Sequence, residues 1–490
     1  MLIKDRKITV VGLARSGAGA ARLLSLVGAE VTVTDRRPES ELADMVKGLG
    51  PSVKRVFGGH PQEVFDAADL IVVSPGVPLE IKPLVSARAK GVPIIGELEL
   101  AFRLANDLMP GKEGRGVPFL AVTGSNGKST TTTLLDHMMK KAGFTTLLGG
   151  NIGNALTEEI LRMAAGDALP LKGSENHAPF TIHHAPDFIV AEVSSFQLEA
   201  IDSFRPRVAS LLNITPDHMD RYHAMSEYRD AKANIYLNQR NGDFLVLNAD
   251  DPGTLELYDL HFRAGKKDMP KVCFFSRTGE VEGLYAKEGK VYCTIPGLSS
   301  AAELINTDEI RIRGVHNLEN AMAAAAMALL AHCPPEAVRE SMREFGGLEH
   351  RLELVRELDG VTYINDSKGT NVGAVIKSIE SFREPLILIA GGRDKAGDFS
   401  VLRNLVSQKV KTVLLIGEAS GKIRDALKDV TETVMAKDLT EAVMMSRQRA
   451  GKGDVVLLSP ACASFDMFRD FEDRGRQFKK IVMELKSING

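Results

Sequence analysis

Short runs of apolar, mostly β-branched residues recur along the chain, and stretches with helical spacing of their apolar positions separate them. In the first hundred residues, the runs Lys7–Leu13, Glu30–Asp35 and Asp69–Gly76 predict strands, and a helical pattern between the first two ends at Gly28. Strands that alternate with helices are typical of parallel sheets covered by helices. The pattern therefore predicts an α/β protein.

Two further blocks repeat this alternation. A segment rich in glycine and charge, 109–118, precedes the second block, and the third block begins near Leu348. These breaks predict three domains, at 1–106, 107–347 and 348–490, of which the first and third are Rossmann-like. Residues 166–186 show no periodicity, and we expect them to form a surface insertion.

Length and composition narrow the range of functions. The chain has 490 residues, which fits about three domains. Lys and Arg total 61 against 64 for Asp and Glu, so the net charge of −3 argues against a partner held by a general basic surface, such as nucleic acid. The longest apolar stretch, Ala321–Ala331, is shorter than the ~18 residues that a membrane span needs. Without a cleavable leader pattern at the N-terminus, we expect a cytoplasmic protein.

The strongest motif is Thr123–Thr130, TGSNGKST, between a strand pattern and a helical pattern. A glycine-rich turn at such a junction lets successive backbone N–H groups face a phosphate at the start of a helix. The second half of the P-loop pattern matches, with Val122 where the pattern has glycine, so a plain glycine-rich turn is the alternative. We expect a central P-loop ATPase-type parallel sheet that uses ATP and Mg²⁺. The ATP contacts predicted by the motif are Gly124, Asn126, Gly127, Lys128, Ser129 and Thr130.

Further polar residues follow strand patterns of the same block. Glu192 ends one strand pattern, Asp217, His218 and Asp220 follow the next, and Lys232 lies on a later helical pattern. Because parallel strands end at a common edge where ligands bind, we expect these residues to join the phosphate site. A solvated acidic turn is the alternative interpretation of the 217–220 segment.

The N-terminal block carries its own nucleotide pattern. Gly12, Ala14 and Gly17 approximate the GxGxxG fingerprint, and Asp35 ends the second strand pattern about twenty residues later. From the residues alone, an NAD-dependent dehydrogenase stays open. A P-loop switch that binds partners without amide chemistry also stays open.

Six segments in order along the chain resemble the Mur ligases. They are TGSNGKST, EVSSFQLE, NITPDHMDRY, the pair His350–Arg351, INDSKGTN and LSPACASFDMFRDFEDRG. The resemblance covers all three blocks and implies ATP-dependent joining of an amine to a carboxylate through an acyl phosphate. The last segment favours the D-glutamate-adding branch of peptidoglycan synthesis, with UDP-N-acetylmuramoyl-L-alanine and D-glutamate as substrates and a monomeric enzyme. A folate or other amino-acid ligase of the superfamily is the nearest alternative.

The resemblance also implies roles for single residues. Catalytic roles fall on Lys128, His218 and Lys232. The Mg²⁺ ligands implied are Ser129, Glu192, His218 and Lys232. An ammonium ion repels a metal, and in the family this lysine carries a carbamate derived from CO₂. Positions around the UDP substrate are Ser16, Arg36, Arg37, Ser74 and Asn151, and those around D-glutamate are Thr370, Lys395, Ser464 and Phe471. Further ATP positions are Asn317, Asn320, Arg351, Asp366 and Lys368.

Overall fold

The computed structural model describes residues 3–111, 116–167, 182, 184–218, 221–263, 268–297, 302–312, 314–394 and 397–487. These residues form three sheets flanked by helices, so the predicted α/β class is confirmed. The chain divides into two compact units, named here unit 1 (Met1–Glu309 and Glu319–Arg343) and unit 2 (Ile310–Leu318 and Glu344–Gly490). Most of the predicted insertion, residues 168–181 and 183, lies outside the described residues. Among the described helices, none combines the length and apolar character needed to cross a bilayer.

The first sheet of unit 1 is parallel. Its strands are β1 (Lys7–Val11), β2 (Glu30–Asp35), β3 (Lys54–Phe57), β4 (Leu70–Val73) and β5 (Ile94–Gly96), and the accompanying helices are α1 (Arg15–Leu26), α2 (Ala43–Val46), α3 (Gln62–Asp66), α4 (Lys82–Ala89) and α5 (Glu97–Leu108). The strand order is β3-β2-β1-β4-β5, so the order reverses between β1 and β4. Alternate strand residues are buried on opposite faces, Val10 on one and Val11 on the other. Ligands of such sheets bind beyond the carboxyl ends of the strands at this reversal.

The second sheet of unit 1 is larger and mixed. Its strands are β6 (Phe119–Thr123), β7 (Thr146–Gly150), β8 (Phe188–Glu192), β9 (Val208–Leu211), β10 (Phe244–Asn248), β11 (Lys271–Ser276), β12 (Gly283–Lys287), β13 (Lys290–Cys293) and β14 (Ala302–Asn306). The helices are α6 (Lys128–Lys141), α7 (Leu156–Asp167), α8 (Ser195–Leu198), α9 (Met225–Ala233), α10 (Pro252–His261), α11 (Val315–Leu330) and α12 (Pro335–Glu344), with the start of α11 in unit 2.

The order of the second sheet is β14-β13-β12-β11-β10-β9-β6-β8-β7, and pairing is parallel from β7 to β12. The last two pairings, β12 with β13 and β13 with β14, are antiparallel and form an edge that the strand pattern did not predict. Glu288 and Gly289 both have positive φ in the turn between β12 and β13. Two such residues are what a tight hairpin turn requires.

Unit 2 holds the third sheet. Its strands are β15 (Glu353–Leu358), β16 (Val361–Asn365), β17 (Leu386–Gly391), β18 (Val410–Ile416), β19 (Glu432–Met435) and β20 (Val455–Leu458), and its helices are α13 (Val372–Glu380), α14 (Arg403–Lys409), α15 (Ser420–Leu427), α16 (Leu439–Arg449) and α17 (Phe471–Glu484). The order is β15-β16-β20-β17-β18-β19, with only the β15 edge antiparallel. Buried apolar clusters cover both faces of this sheet, as its uniformly apolar central strands require.

A buried carboxylate on α5 ties the first sheet to the second. Glu99, with no exposed surface, accepts hydrogen bonds from the backbone N–H groups of Asp202, Ser203 and Phe204 at 2.8–3.0 Å and from Arg103 Nε at 2.6 Å. Burial acts to raise the pKa of Glu99, but these donors outweigh it and the pKa lies below its ordinary value. The carboxylate is therefore held ionised beneath the loop that precedes β9.

We expect Glu99→Gln to lower the free energy of unfolding of unit 1 by about 3 kcal/mol at pH 7, because an amide turns a donor toward backbone N–H groups that need an acceptor. Since the folded pKa is depressed, the stabilisation by Glu99 is present above the unfolded pKa of about 4.3 and is lost as the pH falls through the folded pKa. Urea unfolding followed by circular dichroism should show the two proteins converge in acid.

A matched control is Glu303→Gln, whose carboxylate pairs with Lys290 at 2.8 Å on the surface. This exposed pair should contribute less than about 1 kcal/mol. Equal losses of stability in the two variants, or a difference that does not depend on pH, would contradict the account of Glu99.

Candidate active site

The turn between β6 and α6 is built for a close approach of backbone to ligand. Gly124 and Gly127 both have positive φ, and a Cβ on Gly127 would lie 2.1 Å from Asn320 Oδ1. Only glycine therefore fits at position 127. The helix α6 begins at Lys128 with no side chain capping its N-terminus, which leaves the first-turn amides facing the turn. A phosphate group matches this geometry and its partial positive charge.

Two lysine amines converge on the same carbonyl oxygen in this turn. Lys128 Nζ donates to Gly124 O at 2.8 Å and to Ser125 O at 2.9 Å, while Lys232 Nζ on α9 donates to Gly124 O at 2.9 Å. The Lys232 side chain is 1% exposed and its amine lies 4.5 Å from the centre of the Tyr228 ring. Burial and then the charge of Lys128 lower the pKa of Lys232 to about 6, against an opposing effect of Asp217. Lys232 is therefore largely an uncharged, nucleophilic amine at neutral pH.

The loop after β9 holds the turn in place, through residues that the sequence did not single out. Ser125 Oγ donates to Thr215 O at 2.9 Å and lies 3.2 Å from Tyr228 OH. Asn213 Oδ1 accepts from the Asn126 N–H at 2.8 Å. The signal that could have found them is their position directly after a strand pattern, next to the predicted 217–220 segment.

Glu192 lies at the end of β8, the strand beside β6, in register with Val122. The side chain is 2% exposed, and its Oε1 accepts from Asn151 Nδ2 at 2.7 Å. Its Oε2 is buried without a hydrogen-bond donor in the described part of the chain. Ser129, on the first turn of α6, is also buried. A carboxylate oxygen without a donor among the described residues, at the end of the strand beside β6, fits a hard divalent cation such as Mg²⁺.

His218 lies in a left-handed backbone conformation after β9, half-exposed. Its Nε2 is 3.6 Å from Asp217 Oδ2, and its ring centre is 4.8 Å from that of Phe196. Arg221 also packs against the Phe196 ring, with its Cζ 4.5 Å from the ring centre. The remaining predicted acid of the segment, Asp220, lies outside the described residues.

A small cleft lies beside this group and is lined by residues from both parts of unit 1. Its walls include Ser74 and Gly96 from the first sheet and Phe196, Glu199 and Arg221 from the second.

At the edge of the first sheet, both carboxylate oxygens of Asp35 accept hydrogen bonds from the protein. Its Oδ2 accepts from the Leu13 N–H at 2.7 Å and from Arg37 Nη2 at 2.8 Å, and its Oδ1 accepts from the Arg37 N–H at 2.9 Å. Burial opposes ionisation, but Arg37 and these N–H groups lower the pKa of Asp35 to about 2. In a dinucleotide site this carboxylate binds the ribose hydroxyls. Here it braces the turn that begins α1.

Other predicted residues of this edge are also in place. Ser74 Oγ, at the end of β4, donates to Gly12 O at 2.7 Å, and Gly12 has a positive φ. Ser16 lies on the first turn of α1, which has no side-chain cap and no acidic residue. Arg36 is exposed. The uncapped start of α1 can therefore attract a phosphate, and Arg36 follows β2, the strand beside β1.

In unit 2, the predicted residues gather around the ends of β16 and β20. Asp366 accepts from Ser378 Oγ at 2.6 Å and Ser459 Oγ at 2.7 Å, and burial raises its pKa to about 6. Lys368 Nζ lies 5.3 Å from the centre of the Phe471 ring. Thr370 follows on the same loop, since its N–H donates to Lys368 O at 2.8 Å.

Arg474 on α17 connects these loops, and sequence reasoning missed it. Its guanidinium is 1% exposed and donates to Ser367 Oγ and O at 2.9 Å and to Cys462 O at 3.3 Å. Burial lowers the pKa of Arg474 to about 10, so the group stays charged at neutral pH. It thereby fixes the loop of Lys368 against the loop that carries the buried Ser464.

The remaining predicted positions are distributed between the units. Asn320, in unit 1, lies 3.3 Å from Thr131 Oγ1 and against Gly127, so it closes one side of the P-loop. Asn317 and Arg351 belong to unit 2, and Asn317 is buried. Lys395 lies outside the described residues.

Comparison with known proteins gives three family models along the chain. The models match at residues 6–96 (Mur ligase MurD-like, N-terminal domain), 122–328 (Mur ligase middle domain) and 350–462 (Mur ligase, glutamate ligase domain). Similar proteins include the UDP-N-acetylmuramoylalanine--D-glutamate ligases of Citrifermentans bemidjiense, 44% identical with 98% of each chain covered, and of Pelotomaculum thermopropionicum, 42% identical with 99% of this chain and 100% of the relative covered.

Solved structures agree on the fold. The MurF ligase from Thermotoga maritima in complex with ADP is similar with a TM-score of 0.56 at 15% identity over 99% of both chains. The UDP-N-acetylmuramate-alanine ligase MurC from the same organism gives 0.54 at 20% identity, over 98% of this chain and 100% of that one. The P-loop, the buried Lys232 and the hydrogen-bonded Asp35, together with these matches, exclude the dehydrogenase alternative. The chain belongs to the Mur ligase family.

Proposed function

We propose that this chain is an ATP-dependent ligase that joins D-glutamate to the L-alanyl carboxylate of UDP-N-acetylmuramoyl-L-alanine, a step of peptidoglycan precursor synthesis. Relatives with this activity in their names are 42–44% identical over nearly the whole chain. The structural observation that carries the chemistry is the pair of amines on Gly124 O, together with the Glu192 oxygen at the end of the neighbouring strand, which has no donor in the described part of the chain.

The reaction needs phosphoryl transfer because a carboxylate oxygen cannot leave. An oxygen of the L-alanyl carboxylate attacks the γ-phosphorus of ATP, the bond to the β–γ bridging oxygen breaks, and ADP leaves. The D-glutamate amine then attacks the acyl carbon, loses a proton, and expels inorganic phosphate. Lys128 neutralises the charge that collects on the transferred group, at the turn where the backbone N–H groups of α6 also face it.

We assign the ligands of Mg²⁺ to Ser129, Glu192, His218 and the carbamate form of Lys232. Most of these groups present oxygen atoms, which Mg²⁺ prefers. When bound, Mg²⁺ screens the phosphate charges and makes the γ-phosphorus more electrophilic. The buried Oε2 of Glu192, which receives no hydrogen bond from any described residue, supports this assignment. Asn151, bonded to the other oxygen, sets the orientation of the carboxylate.

Lys232 becomes a metal ligand by reaction with dissolved CO₂. The neutral amine attacks the carbon of CO₂, an N–C bond forms, and one amine proton passes to water, leaving an anionic carbamate. The low pKa of Lys232, about 6, supports this step because only the uncharged amine is a nucleophile. The carbamate then places anionic oxygens where an ammonium would repel a cation.

The substrates divide among three proposed domains. Residues 1–106 hold the UDP group, with Ser16, Arg36, Arg37 and Ser74 around it and Asn151 beyond. Residues 107–347 hold ATP. Residues 348–490 bring D-glutamate, with Thr370, Lys395, Ser464 and Phe471 as its contacts, and Asn317, Arg351, Asp366 and Lys368 on the nucleotide side. Because ATP and a nucleotide-linked precursor are consumed, we place the enzyme in the cytoplasm. We also propose that it acts as a monomer.

The proposed activity predicts that ADP forms at the full rate only with ATP, UDP-N-acetylmuramoyl-L-alanine and D-glutamate together. A coupled ADP assay with each component omitted in turn checks this. L-glutamate, D-alanine and a folate in place of the substrates test the nearer ligase alternatives. ADP formation that continues undiminished without D-glutamate would favour a nucleotide switch and refute the proposal.

Replacing Lys232 by alanine should lower the rate by about 100-fold to 1,000-fold, about 3–4 kcal/mol of transition-state stabilisation, because one anionic metal ligand is lost. Formate, a small carboxylate that fits the space left by the carbamate, should restore part of the rate in the variant and leave the parent unchanged. The exposed Lys140→Ala on α6 serves as the control and should keep full activity. Full activity of Lys232→Ala without formate would rule out the carbamate.

A further inference from the structure

Arg351 lies between two residues with a left-handed backbone. His350 has a φ of 65° and Leu352 a φ of 44°. This conformation is uncommon for residues other than glycine, and for a bulky side chain such as leucine it is an outlier. Such strain persists only where the surrounding structure holds it, and it is concentrated at sites that bind or react. The backbone on both sides of Arg351 is therefore fixed in a conformation that the local sequence alone would not favour.

Hydrogen bonds within unit 2 hold this strained segment. The His350 N–H donates to Glu353 Oε2 at 2.9 Å, and the Leu352 N–H donates to Asp366 Oδ1 at 3.3 Å. Burial raises the pKa of Asp366 to about 6, and the charge of Arg351 is among the effects that oppose this rise. The guanidinium of Arg351 therefore acts at the carboxyl end of β16, which Asp366 follows directly.

Asn365, the last residue of β16, fixes the ring of His350. Asn365 Oδ1 accepts from the Ser367 N–H at 3.2 Å, which leaves Nδ2 to donate to His350 Nδ1 at 2.9 Å and to Glu353 Oε2 at 3.0 Å. Burial lowers the pKa of His350, against opposing effects of Glu349 and Glu353, so the ring is neutral at physiological pH. An amide nitrogen can only donate, so Nδ1 accepts and the ring proton is on Nε2. The side chain, only 2% exposed, is held in one orientation.

A glycine in the interior of α17 makes room for this ring. Gly475 is buried, and a Cβ at this position would lie 2.2 Å from His350 Nδ1 and 2.7 Å from its Cγ. Since no carbon atom approaches a ring so closely, any larger residue would push the ring of His350 away. Glycine weakens a helix interior relative to alanine. The close approach of the ring is what requires glycine here.

We propose that Gly475 and Asn365 are positioning residues for Arg351, whose guanidinium they direct toward a phosphate group of the nucleotide. They act by fixing the ring of His350 and, with it, the strained backbone next to Arg351. This inference rests on the proposed function for the contact of Arg351 with ATP and adds the residues that set its direction.

The state of the Arg351 side chain supports this role. It is half-buried, and its guanidinium has no hydrogen-bond acceptor within the described part of the chain. A guanidinium with available donors matches the oxygens of a phosphate, which it can bind through two parallel hydrogen bonds. Misplacing such a group by about 1 Å can cost about 100-fold in rate, so its backbone must be held firmly.

The test is a double-mutant cycle on the full chain, measured in the coupled ADP assay. Gly475→Ala should raise KM for ATP by about fivefold or more, because the added methyl displaces His350 and thereby Arg351. KM for D-glutamate and for the UDP substrate should stay unchanged. Arg351→Ala alone should raise KM for ATP by about tenfold or more through the loss of charge-assisted hydrogen bonds. In the Arg351→Ala background, Gly475→Ala should have no further effect, because the group that it positions is gone.

The same rise in KM for ATP in both backgrounds, or an equal rise in KM for all three substrates, would overturn the positioning role of Gly475. An unchanged KM for ATP in Arg351→Ala would overturn both this inference and the nucleotide contact on which it rests. Absence of ATP-dependent turnover by the parent protein would instead overturn the proposed function, so the failures are distinguishable.

Gly421→Ala on α15 is the matched control. This glycine also lies in a helix of unit 2, but a Cβ at its position would meet nothing within 4 Å. The variant should keep all three KM values, which separates the displacement of His350 from the general effect of replacing a helical glycine.

A glycine at position 350 and a spectroscopic measurement test the same contact if Gly475→Ala alone fails to fold. His350→Gly removes the ring that the methyl would meet, and glycine adopts a left-handed backbone without strain. In this background Gly475→Ala should leave KM for ATP unchanged. Nitrogen-15 NMR of the histidine-labelled parent should show His350 protonated on Nε2. An Nδ1-protonated His350, or a further rise in KM for ATP in the His350→Gly background, would contradict the proposal.

Discussion

The chemistry of the site depends on the carbonyl oxygen of Gly124, which accepts from the amines of both Lys128 and Lys232. Two ammonium ions at one partly enclosed acceptor would repel strongly, since charges interact more strongly where water is excluded. Burial of Lys232 and then the charge of Lys128 lower the pKa of Lys232 to about 6, so this amine is the one that loses its proton. The two lysines thus share one carbonyl oxygen of the glycine turn, and the proposed phosphate and carbamate roles rest on this pair.

Two buried carboxylates on α5 show how the number of hydrogen-bond donors decides whether burial raises or fails to raise the pKa of an acid. Glu99 meets three backbone N–H groups and Arg103, and its pKa falls below the ordinary value despite burial. Glu97, bonded to Thr157 N and Oγ1 at 2.8 Å, is completely buried with fewer donors, and burial raises its pKa. Both anchor α5 to elements of the second sheet. The edge that carries Ser74 and the P-loop are consequently parts of one compact unit.

The strands predicted from sequence were those with long apolar runs. β2 was predicted to its exact bounds, and β1, β4, β6 and β8 were also predicted, because burial on both faces of a parallel sheet demands such runs. The strands β3 and β5 were missed, since β3 has two exposed residues and β5 has only three residues in all. The strands β12 to β14 were also missed, because strands at the edge of a sheet need fewer apolar residues.

The sequence by itself determined the α/β class, the P-loop, and the set of polar residues at strand ends, because these follow from local periodicity and from short motifs. Only the tertiary structure decided what each polar group could do. It bonded Asp35 to Leu13 and Arg37, lowered the pKa of Lys232 by burying it beside a lysine 104 positions earlier, and left one oxygen of Glu192 without a donor among the residues described. Charge state and hydrogen-bond capacity depend on burial and on neighbours from distant segments, and neither is written in local sequence.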